Sequence, residues 1–295
     1  MSDVTTTGEE NRFVDRLQAY LQNVSWYRVG IYVVMYGLAA LYFIPYWRMF
    51  QISVTPTDFI AAGQFHWIPP DMTFEFWTRY LFEELVIYRW AFNTLIISSL
   101  TTIIVLVADS MIAFSLTRLD WPGQGVILGL IVSSFMVPVY VNIIPLYSLI
   151  DDLGLINSYW GVLLPLAAQP LGVFLLYQFF KDLPEGLEEA ARLDGFSTFR
   201  IYWKLTLPLS MPILTALGLF QFIWAWNQFL WPLIVLNQDQ LYTLPIGVIT
   251  LRDQHAIWPN LIMTSTALVS IPLFIVFLLF QDKLISSIQM QAGVG

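Results

Sequence analysis

Six stretches of this chain are too long and too free of charge to be ordinary buried helices. They cover about 29–50, 91–116, 125–150, 160–180, 212–236 and 261–281. A helix that crosses the hydrocarbon of a bilayer needs roughly 20 mostly apolar residues, and each stretch meets that length. The pattern predicts an all-α integral membrane protein with six transmembrane helices. Residues 29–290 then form one transmembrane domain between a polar arm, 1–28, and a short tail, 291–295.

Composition narrows the choice of function. With 57% hydrophobic and 12% charged residues, the chain carries too little charge for a soluble domain of 295 residues. There is no cysteine, hence no disulfide, thiolate or zinc–thiolate chemistry. His66 and His255 are far apart, so no histidine metal centre is expected. A formal net charge of −8 is the wrong sign for a nucleic-acid partner. The three lysines, Lys181, Lys204 and Lys283, follow no glycine-rich loop, so the chain has no Walker A site to hold ATP. There is no G-x-S-x-G, and no histidine stands close in sequence to a candidate nucleophile. The expectation is a chain that is not an enzyme, with no catalytic residues, no metal and no cofactor of its own.

Basic residues set the orientation. With the N-terminus cytoplasmic, nine Lys and Arg fall inside (Arg12, Arg16, Arg28, Arg118, Lys181, Arg192, Arg200, Lys204, Lys283) and four outside (Arg48, Arg79, Arg89, Arg252). Both termini are therefore expected in the cytoplasm. The outer loops are a long one over 51–90, in which Pro69 and Pro70 force extended backbone, and shorter ones at 151–159 and 237–260. The first 28 residues lack the basic start and small-residue cleavage site of a signal peptide. Their segment Asn11 to Val24 reads equally as an amphipathic surface helix or a disordered tail.

A charged island, KDLPEGLEEAARLDGFSTFRIYWKLTLPLSMP, interrupts the apolar pattern from Lys181 to Pro212. Asp182 and Glu185 fit a capping box, and Pro184 fits a first turn, where its missing N–H costs nothing. Acids early and Arg192 late suit the helix dipole. Gly195 can stop the helix in the left-handed conformation. A second amphipathic segment follows and leads through Pro208 into the next apolar stretch. Ala190 and Ala191 give the helix a narrow face that can seat in a cleft of a soluble partner. A linker resting on lipid headgroups accounts for the same residues.

The spacing within the island is that of a known family. Glu189-Ala190-Ala191, three residues, Gly195, nine residues, then Leu205-Thr206-Leu207-Pro208 resembles the EAA loop of ABC-importer permeases, with Leu205 where isoleucine is usual. The stretches AFNTLIISSLTT, PLYSLIDDLGLINSYWGVLLP and FIWAWNQFLWPL are similar to the carbohydrate permeases of the maltose and glycerol-phosphate type. The likeness runs from about Trp90 to Gln289. It implies a permease subunit in the cell membrane that forms half of a sugar pathway. It implies a second, different permease as partner, two ATPase subunits that hold ATP and Mg, and an extracytoplasmic solute-binding protein. The helix from Glu185 to Asp194 becomes the coupling helix, and Glu185, Glu188, Glu189, Ala190, Ala191, Asp194, Gly195 and Pro208 become the ATPase-docking residues. The Gly-rich finish at Gly293 and Gly295 fits such permeases loosely.

Polar groups inside the apolar stretches are candidates for the pathway, because transported solutes bind near mid-membrane where spans are broken or polar. They are Asn142, Gln169, Gln221, Trp226, Asn227 and Gln228. An aromatic face beside amides suits a sugar, and glue between helices is the competing reading. Trp231 reads as part of an interfacial aromatic belt. Asp109 reads as reaching the headgroups or pairing with Arg118. If the chain instead worked alone as an ion-coupled transporter, Asp109 would be its ion-linked group. Within the importer reading, another solute class remains open.

Overall fold

The structure is a computed structural model, and it describes residues 26–63, 66–69, 71–83, 86–254 and 258–292. The expectations for the N-terminal arm, its Asn11–Val24 segment, His255, Gly293 and Gly295 lie outside the described residues. Among those described, the chain is helical throughout, with no strand. Three helices are long and apolar enough to cross a membrane, and two bent pairs raise the number to as many as five.

The long helices are α1 (Trp26–Ser53), α2 (Val86–Arg118) and a C-terminal helix, Pro259–Ala292. At 1.5 Å per residue, the 33 residues of α2 span about 50 Å, more than the thickness of a bilayer's hydrocarbon. It runs through the middle of the molecule, against three of the shorter helices described next. Helix α1 leans on the C-terminal helix, with Tyr46 edge-on to Phe274. It is apolar on every side and exposed along most of its length, as expected of a segment surrounded by lipid or by other helices.

The other three apolar stretches do not form single helices as expected. Residues 124–152 divide into α3 (Gln124–Ser134), a 3₁₀ turn (Val139–Asn142) and α4 (Ile143–Asp152). The fourth stretch divides into α5 (Tyr159–Ala167) and α6 (Pro170–Lys181), bent by 41°. The fifth divides into α8 (Met211–Trp226) and α9 (Leu230–Val235); α7, which lies between α6 and α8, is described below. Proline explains each break. Its ring clashes with the carbonyl four residues earlier and it has no N–H to offer that carbonyl. Pro138 stands inside the first break, Pro170 opens α6 after the second, and Pro232 lies in the first turn of α9 after the third.

Carbonyls freed in this way need new donors, since lipid offers none. The fifth stretch supplies two. Pro165 frees the Gly161 carbonyl, which accepts from Trp231 Nε1 at 3.2 Å. Pro170 frees the Leu166 carbonyl, which accepts from Gln221 Nε2 at 3.3 Å. Trp231 is therefore buried against α5 and belongs to a core cluster with Ile150, Val162 and Val235; it is not part of an exposed belt.

At its N-terminal end α2 holds the loop that follows α9. Trp90 Nε1 donates to the Asp239 carbonyl, and Asn93 Nδ2 donates to those of Gln240 and Tyr242, all at 2.8–2.9 Å. Tyr159 completes the site by donating its hydroxyl to Asn93 Oδ1. Thr94 Oγ1 accepts from the Leu244 N–H at 2.7 Å. At its C-terminal end, α2 packs Ala113 and Phe114 against Leu176, Phe180, Ile201, Tyr202 and Leu217.

Candidate functional site

The charged island folds as a short helix and a turn on the cluster at the C-terminal end of α2. Helix α7 spans Glu185–Leu193. Its start differs from the capping box expected of the sequence. Asp182 instead ends α6, donating its N–H to the carbonyls of Gln178 and Phe179. Pro184 precedes the helix in extended backbone at the capping position, and no side chain caps the first turn. The carboxylates of Glu185 and Glu188 in that first turn suit the positive end of the dipole.

The end is the one expected. Gly195 adopts φ +76°. Its N–H donates to the Arg192 carbonyl at 3.0 Å, and the Phe196 N–H to the Ala191 carbonyl at 2.9 Å. This pair of bonds closes the last turn as a Schellman motif. Next, Ser197 caps a short helix, Thr198–Ile201, by accepting from the Arg200 N–H. The Arg200 guanidinium lies 4.1 Å from the centre of the Phe196 ring. Tyr202 anchors the segment, its hydroxyl 2.8 Å from Ser110 Oγ on α2. Pro208 is exposed in a final turn, Leu207–Leu209, and the chain then bends by 76° into α8.

The residues expected to dock an ATPase divide by face. Glu185, Glu189, Ala190, Asp194 and Gly195 are exposed, as are Arg192 and Leu193, while Ala191 is half-buried. Glu188 points the other way. Its Oε1 accepts from Arg118 Nε at 2.6 Å, and the two side chains are 11% and 7% exposed. Arg118 Nη2 also donates to the carbonyls of Phe180, at 2.6 Å, and Leu183, at 3.0 Å. The partner of Arg118 is thus Glu188 and not Asp109. Asp109 does not reach headgroups either. It is buried between α2 and α6, its Oδ2 without a hydrogen-bond partner among the described residues.

The pathway candidates do not share one surface. Gln169 is half-buried in the break between α5 and α6, and Gln228 is half-buried in the break between α8 and α9. Asn227 is exposed beside Gln228 and bonds back to the Ile223 carbonyl through Nδ2. Asn142 is exposed at the joint of the 3₁₀ turn and α4. Gln221 is buried on the Leu166 carbonyl. Trp226 is buried in a cluster with Tyr80, Trp90, Leu244 and Leu261, its Nε1 without a partner among the described residues.

The family model described as "Binding-protein-dependent transport system inner membrane component" matches residues 101–289, which include α7 and every break described above. The chain belongs to this family. Among its relatives is the arabinooligosaccharides transport system permease protein AraQ of Bacillus subtilis, 34% identical over 90% of this chain and 95% of that one. The sn-glycerol-3-phosphate transport system permease protein UgpE of Brucella abortus is 32% identical over 76% of this chain and 82% of its own. A bacterial ABC transporter that imports the acidic polysaccharide alginate contains a chain of the same fold. Its TM-score is 0.75 at 21% identity, over 91% of this chain and 97% of that one. Family membership and the apolar helices together identify a multi-pass membrane protein whose relatives are transport permeases, not enzymes.

Proposed function

We propose that this chain is one permease subunit of an ATP-driven importer of a sugar or sugar-like solute in the cell membrane. The observation that carries the proposal is α7. It is a helix bearing Glu189-Ala190-Ala191, held against the bundle by Glu188 and ended by a left-handed Gly195, with its small-residue and acidic face open. Such a face suits insertion into a cleft of a soluble ATPase. In this reading both termini and α7 are cytoplasmic. Six spans arise from α1, α2, the broken stretch 124–152, α5 with α6, α8 with α9, and the C-terminal helix.

The complete importer then holds this chain, a second and different permease, and two ATPase subunits that carry ATP and Mg. An extracytoplasmic binding protein delivers the solute to the outer loops. A relative named for arabinooligosaccharides supports a carbohydrate. A relative named for sn-glycerol-3-phosphate supports a second reading, in which the solute is a phosphorylated polyol. Gln169, Asn227 and Gln228, at breaks in the helices, are the best-placed amides to line the pathway. Asn142 stands at a further break, and Gln221 and Trp226 border the pathway from buried positions.

The test is purification of the tagged chain in mild detergent, then uptake by vesicles containing the recovered complex. Recovery of a second permease and an ATPase, with uptake of an oligosaccharide that requires ATP, is the expected result. A chain that purifies alone and moves solute in vesicles without ATP would overturn the proposal.

A further inference from the structure

We propose that Arg118 and Glu188 form a latch through which movement of α7 reaches the transmembrane bundle, with Arg118 as the positioning residue. The inference rests on the reading of α7 as the ATPase-docking helix. Arg118 is the last residue of α2, the helix around which the bundle packs. One guanidinium there holds three other segments at once: Glu188 on α7, the Phe180 carbonyl near the end of α6, and the Leu183 carbonyl in the linker between them. The planar fork of arginine serves such divergent acceptors, and the point charge of lysine does not.

The rest of the attachment of α7 is slight. Its backbone neighbours lie chiefly in the Thr198–Ile201 turn that follows it, and Leu187 and Leu193 remain exposed. Ala191 touches the cluster at the C-terminal end of α2 with only a methyl group. Glu185, Glu189 and Arg192 face outward, so Glu188 is the charged side chain of α7 that turns into the bundle. Burial keeps water and salt from weakening the ion pair. A pull on α7 is therefore delivered to Arg118, and so to the inner end of α2. The outer end of the same helix carries Trp90, Asn93 and Thr94, which hold the loop after α9. A helix fixed to moving parts at both ends can carry displacement from one side of the membrane to the other.

The experiment uses the whole importer, reconstituted with its partner subunits and binding protein, and measures two quantities. These are the ATPase retained on purification and the solute taken up per ATP hydrolysed. The variants are Glu188→Ala, Arg118→Lys, the reversed pair Arg118→Glu/Glu188→Arg, and Gly195→Trp. Glu188→Ala and Arg118→Lys are expected to keep the ATPase bound. Uptake per ATP should fall about tenfold, as for the loss of one charge-assisted hydrogen bond. The reversed pair should recover part of it. Wild-type uptake per ATP in Glu188→Ala overturns the latch. Loss of the ATPase from Glu188→Ala also overturns it, by making Glu188 a docking contact. Normal ATPase retention in Gly195→Trp would count against the docking reading itself. If Glu188→Ala does not accumulate in membranes, Arg118→Lys, which keeps the charge but lacks the fork that reaches all three acceptors, takes its place, and wild-type uptake per ATP in that variant overturns the latch.

Discussion

Gly172 lies so close to Asp109 that any Cβ at this position would overlap the carboxylate, and it would also approach Leu217 Cδ2 to 3.3 Å. The contact is where α2, α6 and α8 meet. In lipid, helices associate through close packing and not through the hydrophobic effect, so small residues decide where backbones can approach. Gly172→Ala should lower stability by about 1–3 kcal/mol through overpacking. Asp109→Ala in the same chain should restore most of the loss. Thermal unfolding in detergent checks both, and equal midpoints for Gly172→Ala and the parent would refute the contact.

Gln221 has a role that its amide alone does not reveal. Replacing it with leucine leaves the Leu166 carbonyl without its donor. The cost should be about 0.6–2 kcal/mol, the range seen for hydrogen bonds between membrane helices. The same substitution at Asn227, which bonds only within its own helix, should leave stability nearly unchanged. Unfolding in mixed detergent micelles compares the two, and equal losses would refute the assignment.

Gly195 at φ +76° tests the backbone of the turn that ends α7. A β-branched residue is strained there by about 1–2 kcal/mol, whereas asparagine tolerates the conformation. Gly195→Val should release the ATPase during purification and Gly195→Asn should retain it. Equal retention would show that the turn need not be left-handed.

Asn93 joins α2 to the carbonyls of Gln240 and Tyr242. Asn93→Ala should speed amide hydrogen exchange over residues 237–243 about tenfold, since the loop loses two of its ties. Exchange across α7 serves as the control. Unchanged protection of the 237–243 loop would rule out the tie.

The long helices were legible because they carry their signal in every residue. The stretches 29–50, 91–116 and 261–281 fall inside observed helices, each of which runs some residues further. The breaks were not legible in the same way. Pro45 and Pro272 sit inside continuous helices, while Pro170 starts one after a break, and only the neighbours decide which happens. Gly195 was legible because a single residue carries the left-handed turn. The start of α7 was misread because Asp182 serves the preceding helix. Glu188 and Arg118, 70 residues apart in sequence, had no local signal to join them. Trp231 was placed at the interface by its position near the end of a stretch, and its ring was claimed instead by a carbonyl freed on another helix.

The two proline-freed carbonyls also set an order of events in the birth of the protein. Gly161 is synthesised 70 residues before Trp231, and Leu166 is synthesised 55 residues before Gln221. When the fourth stretch leaves the ribosome, neither of its bare carbonyls has a donor, and hydrocarbon would leave them so. Helices α1 and α2 can enter the bilayer one at a time. Those two carbonyls can find their donors only once the fifth stretch has been made, which favours the two stretches settling together as a pair.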